Sequence, residues 1–440
     1  MRLDEFRNAL DDALGSRPQP SDAVRRAIRR RVGRRRVLRW LVASTVIVVV
    51  VGAAVFVAAR PGRRGHAVVS VSPHNTTTPE TSRPTTTRPG WRRVPNPPYP
   101  NALAGVRVGN QVVVAFSLPE GLRFALFDPV GQRWDKLPTP PLNLSAPFTV
   151  SPTFAIDGSS IIVWGHDQTQ PSDTSAGSMR IMEYEPATTR WHVLPASPIH
   201  MLIQAAPIWT GSELIVWGGT EVNVVAEAFS PTLGQWHRLP NGPLHPREDP
   251  VAVWTGSEML VWGGFPYPSD PAQGAAFNPR TNTWRVLPPS GLSTREVAAT
   301  VWTGQLFVVW SGSAAAGGDP GDGAAYDPTT NRWHPIAAAP IAGREQAAVT
   351  WTGQDLFIWG GISFNHGRQT LSDGATYKPT SNRWSALPRS PLVSRWGTVT
   401  VWTGNEVLLV DGYGPSRPGA PSEPALTNAA VYTPTPRNNP

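Results

Sequence analysis

The sequence predicts an all-β fold: a ring of seven four-stranded sheets, a seven-bladed β-propeller, closed by an N-terminal outer strand and preceded by one transmembrane helix. Three observations predict it. A phrase of the form strand, Thr-Gly turn, strand recurs along the chain, with turn glycines at 109, 158, 211, 256, 304, 353 and 404. Between its copies runs a second phrase, an aromatic residue followed seven positions later by tryptophan. The last unit also lacks one strand, and a strand of the missing type stands alone near residue 91.

The first phrase is clearest as Val253-Trp254-Thr255-Gly256-Ser257-Glu258-Met259-Leu260-Val261-Trp262-Gly263-Gly264. Apolar runs on either side of a two-residue turn read as a hairpin, strands a and b. It returns from Trp209 to Gly219, Trp302 to Gly312, Trp351 to Gly361 and Trp402 to Gly412, with looser copies around Gly109 and Gly158. Successive turn glycines are 49, 53, 45, 48, 49 and 51 residues apart. A period near fifty marks a repeat architecture.

The second phrase reads Ala276-Phe277-Asn278-Pro279-Arg280-Thr281-Asn282-Thr283-Trp284-Arg285-Val286-Leu287-Pro288. Its partners run from Phe127 to Trp134, Tyr184 to Trp191, Phe229 to Trp236, Tyr326 to Trp333 and Tyr377 to Trp384, with a truncated copy at Tyr432. Two more strands, c and d, joined by a Pro-containing turn complete the four strands of a propeller blade. Trp91-Arg92-Arg93-Val94-Pro95 matches the strand d pattern, so it is expected to complete the blade that ends at Tyr432. Closure removes the open edges that a sheet protein must otherwise protect. Seventeen of the nineteen tryptophans fall on strands a, b and d, which identifies them as packing residues between sheets rather than a sugar-stacking stripe.

The paired glycines ending strand b (Gly218-Gly219, Gly263-Gly264, Gly360-Gly361), the aromatic of strand c and the tryptophan opening strand d resemble the kelch-repeat family, over residues 91 to about 435. The resemblance, in a membrane-anchored bacterial type, implies that the d–a and b–c loops open on one face around the central channel and that ligands bind there. Kelch-fold oxidases of the galactose oxidase type need copper and a tyrosine joined to cysteine. The chain has no cysteine, so that cofactor cannot form. No catalytic residue, cofactor or metal is assigned: Gly-x-Ser-x-Gly, His-Glu-x-x-His and Gly-rich phosphate loops are all missing from the sequence. Asp319-Pro-Gly-Asp322-Gly only faintly resembles a calcium loop, without the alternating acids such a loop needs, and reads as a solvated turn.

Ahead of the repeats, residues 1–36 form a short basic cytoplasmic segment, with helical patterns over 3–14 and Ala23–Arg36. Residues 37–59 are almost wholly apolar, and the twenty from Trp40 to Ala59 suffice to cross a bilayer. Eleven arginines precede Val37, which places the N-terminus in the cytoplasm and the repeats outside, on an uncleaved anchor rather than a cleaved export signal. Residues 60–90 are a Thr/Pro-rich linker, expected to run extended. Of 39 basic residues all but Lys136 and Lys378 are arginine, a bias that suits a GC-rich bacterial genome. The net charge of +8 lies entirely before the repeats, and residues 91–440 hold 22 basic and 25 acidic groups. Nucleic-acid binding is therefore excluded.

The expected localisation is the cell membrane, single-pass, with the propeller extracytoplasmic. The expected function is recognition of an envelope glycan or protein partner at the channel mouth. Alternatives are an exported carbohydrate-active enzyme of epimerase or lyase type, and an envelope sensor with a cytoplasmic docking helix. The candidate ligand-binding residues are arginines nine positions before the turn glycine in four consecutive units: Arg247, Arg295, Arg344 and Arg395, three of them followed by Glu248, Glu296 and Glu345. Guanidinium groups gathered at one mouth suit carboxylates and other anions. The competing expectation is that each arginine pairs with a glutamate of its own or the next blade and ties the ring together.

Overall fold

The computed structural model describes residues 89–435 apart from 143, 146–152, 158–159, 168–178, 200–204, 221–222, 246, 249, 267–272, 315–316 and 416–422. The expected cytoplasmic segment, membrane helix and nearly all of the linker lie outside the described residues. No helix among the described residues is long and apolar enough to cross a membrane.

Seven antiparallel sheets form seven blades, each in the order a, b, c, d. Blade one spans Ala102–Lys136, blade two Thr153–Val193, blade three Ala206–Arg238, blade four Val251–Val286, blade five Ala299–Pro335 and blade six Ala348–Ala386. Blade seven takes strands a, b and c from Val399–Trp402, Val407–Val410 and Ala429–Thr433, and its strand d from Gly90–Val94. That closure is the one the isolated Trp91 strand predicts, with Trp91 opposite Tyr432. The a strands neighbour one another all the way round, including blade one against blade seven.

The repeated residues explain the packing. In the a–b turns a glycine holds positive φ, as at Gly256 (φ 98°), while the preceding threonine hydroxyl accepts backbone N–H groups across the turn, as Thr255 does from Ser257 and Glu258. In all seven blades the strand d tryptophan sits opposite the strand c aromatic, with ring centroids 4.8–5.2 Å apart.

Each of these tryptophans except Trp333 donates its indole N–H to a carbonyl four residues past the equivalent tryptophan of the preceding blade, at 2.8–3.3 Å. Two of those bonds, Trp91 to Pro388 and Trp134 to Pro95, run across the closing strand, so the repeat rule holds through the ring closure. The strand b tryptophans are buried between blades and meet the next blade's strand d tryptophan, as in Trp217 against Trp284 and Trp359 against Trp91. The tryptophans are core, as their spacing predicts.

The closing strand has its own lock. Arg92 donates to Glu406 in the a–b turn of blade seven and to Gln132 in the c–d turn of blade one. Glu406 also accepts from Thr433. A buried carboxylate thus holds the first and last strands of the propeller to the same blade.

Candidate functional site

On each of blades four to seven the segment before strand a folds back along the end of strand b. Arg247-Glu248 pairs with Phe265-Pro266 and Arg295-Glu296 with Ser313-Ala314, while Glu345 bridges Ile362 and Trp396 bridges Tyr413. These short ladders bring the d–a and b–c loops of those blades together. They are invisible in the periodicity, because two-residue pairings leave no pattern.

The four candidate arginines occupy equivalent places. Their side chains are buried, with relative exposures of 1, 2, 1 and 0% for Arg247, Arg295, Arg344 and Arg395. In every case Nε donates to the carbonyl two residues earlier, at His245, Ser293, Ala342 and Val393. Nη1 reaches the far end of strand b or the end of the b–c loop. Arg247 bonds the carbonyls of Gly263 and Gln273, and Arg395 bonds that of Asp411. Arg295 meets the Asp322 carboxylate at 2.7 Å, and Arg344 grips Asp373 with both nitrogens at 2.9 and 3.2 Å. The carboxylates against these two guanidinium groups are therefore aspartates closing the b–c loop, one residue before strand c. Glu296 and Glu345, buried beside them in sequence, take up positions in the loop ladder.

Three of these arginines also join blades, through their main chain. The second residue of the glycine pair donates its N–H to the next blade's arginine carbonyl: Gly264 to Arg295, Gly312 to Arg344, Gly361 to Arg395. A Cβ on Gly263 would stand 2.6 Å from the Arg295 carbonyl oxygen, which accounts for glycine there. Where the first glycine is replaced, the backbone stays left-handed and the new side chain bonds across the blade boundary. Ser311 (φ 54°) exchanges hydrogen bonds with the Arg344 backbone, and Asp411 (φ 55°) accepts from the N–H of Ala102 in blade one.

Blade seven departs from its neighbours. The residue equivalent to Asp322 and Asp373 is Asn428, whose Oδ1 has no partner. Nη2 of Arg395, the hydroxyl of buried Thr398 and Oδ1 of Asp411 are likewise unpartnered. Burial pushes the Asp411 carboxyl up to about 7, against the opposing pull of the Ala102 N–H and Arg395. Burial also lowers the Arg395 guanidinium to about 10, with Asp411 working the other way. Trp396 stands where blades four to six have glutamate, stacks on Tyr413 and donates to Glu423 at 2.6 Å, and Glu423 pairs in turn with Arg368 of blade six.

Chemistry elsewhere is sparse among the described residues. His192 and His237 lie beside Glu185 and Glu213 on the outer strands. No group of three His, Asp or Glu side chains is placed to hold a metal among the described residues. Asp319 is buried and accepts from the Phe364 N–H, while Asp322 is taken by Arg295, so both carboxylates of the faint calcium-like stretch bond to the chain itself. Sequence reasoning missed Asp322, Asp373, Asn428 and Asp411 as a set. Their common signal was position: one residue before strand c for the first three, the first place of the glycine pair for the last.

No curated protein matches the chain. Residues 200–412 match the KLHDC2/KLHL20/DRC7 Kelch-repeats domain, a stretch from the start of blade three to the glycine that ends strand b of blade seven. With no cysteine in the chain, the copper site of galactose oxidase-type propellers cannot form on this one. Residues 200–412 are thus similar to a kelch-repeat domain, and the propeller they belong to has seven blades.

Proposed function

We propose that this propeller is a recognition module that binds a protein partner or an envelope glycan through its d–a and b–c loop face. One observation carries the reading: the base of that face is rigid and its rim is varied. Buried arginines pin the d–a loops of blades four to seven to their own blades, and those of blades five to seven also to the blade before, whereas the b–c loops differ in length and chemistry from blade to blade. A fixed scaffold under variable loops is the usual arrangement of a binding surface. The kelch match supports interaction over catalysis.

The sequence supports an extracytoplasmic position on a single-pass anchor at residues 37–59, with the N-terminus in the cytoplasm. Because the chain has no cysteine, single introduced thiols report topology cleanly. Thr86→Cys should react with a membrane-impermeant maleimide in intact cells and Ser16→Cys should not. The reverse result would refute the orientation.

The recognition reading itself is tested by photo-crosslinking from the full-length chain in cells. A crosslinker at Asp322 or Asp373, side chains about half exposed on the loop face, should give discrete adducts that a crosslinker at Val130, in the c–d turn of blade one, does not. Equal yields from both places would refute a dedicated binding face.

A further inference from the structure

We propose that blade seven carries a binding position for a ligand carboxylate, with Arg395 as its anchor. The proposal rests on the recognition reading and narrows it from four arginines to one.

The argument is a comparison of the chain with itself. In blades five and six a buried arginine binds the carboxylate of Asp322 or Asp373, each about half exposed, so in both blades an acid reaches a buried guanidinium from the solvent side. In blade four Arg247 has carbonyl acceptors at Gly263 and Gln273. Blade seven keeps the arginine, its Nε bond to Val393 and its Nη1 bond to Asp411, but replaces the acid by Asn428. Nη2 of Arg395 is left without a partner at 0% exposure. Arg395 and the Asp411 carboxylate form no ion pair, since Asp411 directs Oδ2 to the Ala102 N–H. A buried cation with an unused edge is a costly arrangement unless something completes it.

What would complete it is set by the donors present. Thr398, 1% exposed, has an unpartnered hydroxyl, and the hydroxyl and the Arg395 stem both lie against Gly412, where a Cβ would meet them at 2.7 and 3.3 Å. The Asn428 amide, whose Oδ1 finds no donor, presents its NH2 when turned over. Guanidinium, hydroxyl and amide form a donor set for one carboxylate, in the place where blades five and six supply their own. The substitution Asn428→Asp should therefore convert blade seven into another self-satisfied blade.

The test is isothermal titration of the full-length chain with two carboxylate probes from different sources, tetraglutamate and a trigalacturonate, and with their neutral counterparts, tetraglutamine and the methyl-esterified trisaccharide. Saturable binding is expected for at least one acidic probe and for neither neutral one, and the pattern tells an acidic peptide from an acidic sugar. Arg395→Gln should weaken binding at least tenfold. Asn428→Asp, which leaves the loop bonds of Arg395 intact, should abolish it while raising the unfolding temperature. Binding that survives Asn428→Asp overturns the proposal, and so does failure of the wild-type chain to bind either acid. In both cases crosslinking at Asp322 and Asp373 still decides the wider recognition reading, so the two fail separately.

Discussion

Replacing Asp411 by asparagine should stabilise the propeller above neutral pH and flatten its response to pH. Asp411 is 1% exposed, with its carboxyl raised by burial from 3.8 to about 7. The folded state therefore holds a proton between those values that the unfolded chain has released. Stability from this group is fully present below about pH 4 and is lost as pH rises through about 7. The full span of about three pH units corresponds to roughly 4 kcal/mol, a ceiling that hydration of the seam would lower. Asparagine keeps an acceptor for the Ala102 N–H and tolerates the left-handed backbone at φ 55°.

Urea unfolding of the two chains at pH 5 and pH 8 measures the effect. The wild type should lose stability between the two, while Asp411→Asn should change far less and should exceed wild type at pH 8 by about 2–4 kcal/mol. Arg395 sets the main opposing effect, because removing the nearby negative charge leaves the buried cation less compensated. A variant less stable than wild type at pH 8 would mean that the carboxylate is ionised and needed there, and the burial argument would be refuted.

Other perturbations test other links. Arg92→Ala should cost about 1–3 kcal/mol by removing the bond to Glu406, and hydrogen exchange should quicken first in 90–94 and 429–433. Trp284→Phe loses the bond to Pro240 and should cost about 1 kcal/mol more than Trp262→Phe, whose indole N–H has no partner; denaturant midpoints decide. Gly263→Ala forces a Cβ against the Arg295 carbonyl at φ 70° and should destabilise by at least about 1–3 kcal/mol, read by thermal unfolding. Val297 is β-branched at φ 47°, so Val297→Asn should stabilise by up to about 1 kcal/mol, read from the denaturant midpoint.

The fold was legible because each blade repeats its own packing rules. Trp284 faces Phe277 and bonds the preceding blade, and the same spacing applied to Trp91 places the closing strand without any further information. The site was half legible. Position nine before the turn glycine identified four arginines in equivalent places, but not the aspartates that meet two of them. Arg344 is gripped by Asp373, 29 residues away, at a distance along the chain set by the length of the b–c loop. That length varies between blades, so a fixed spacing cannot reveal it. Nor does spacing disclose that the arginine carbonyl, rather than its guanidinium, reaches the neighbouring blade.

That division of labour bears on how the binding face varies. The guanidinium fixes the arginine to its own blade, and the carbonyl fixes it to the blade before. From blade four to blade seven, register therefore depends on an arginine, the glycine pair or its replacement, and the tryptophan bonds of the outer strands. The loops between the glycine pair and the position before strand c meet their neighbours through contacts of their own, as Asn365 of blade six does with Asp319 of blade five and Arg368 with Glu423 of blade seven. They can lengthen to span 413–428 in blade seven or shorten to a few residues in blade one without disturbing the ring. In blades five and six the last loop residue returns an aspartate to the arginine, which couples loop to frame. Asn428 breaks that coupling in the blade with the longest loop, and this is where an outside group has the most to gain by supplying the missing acid.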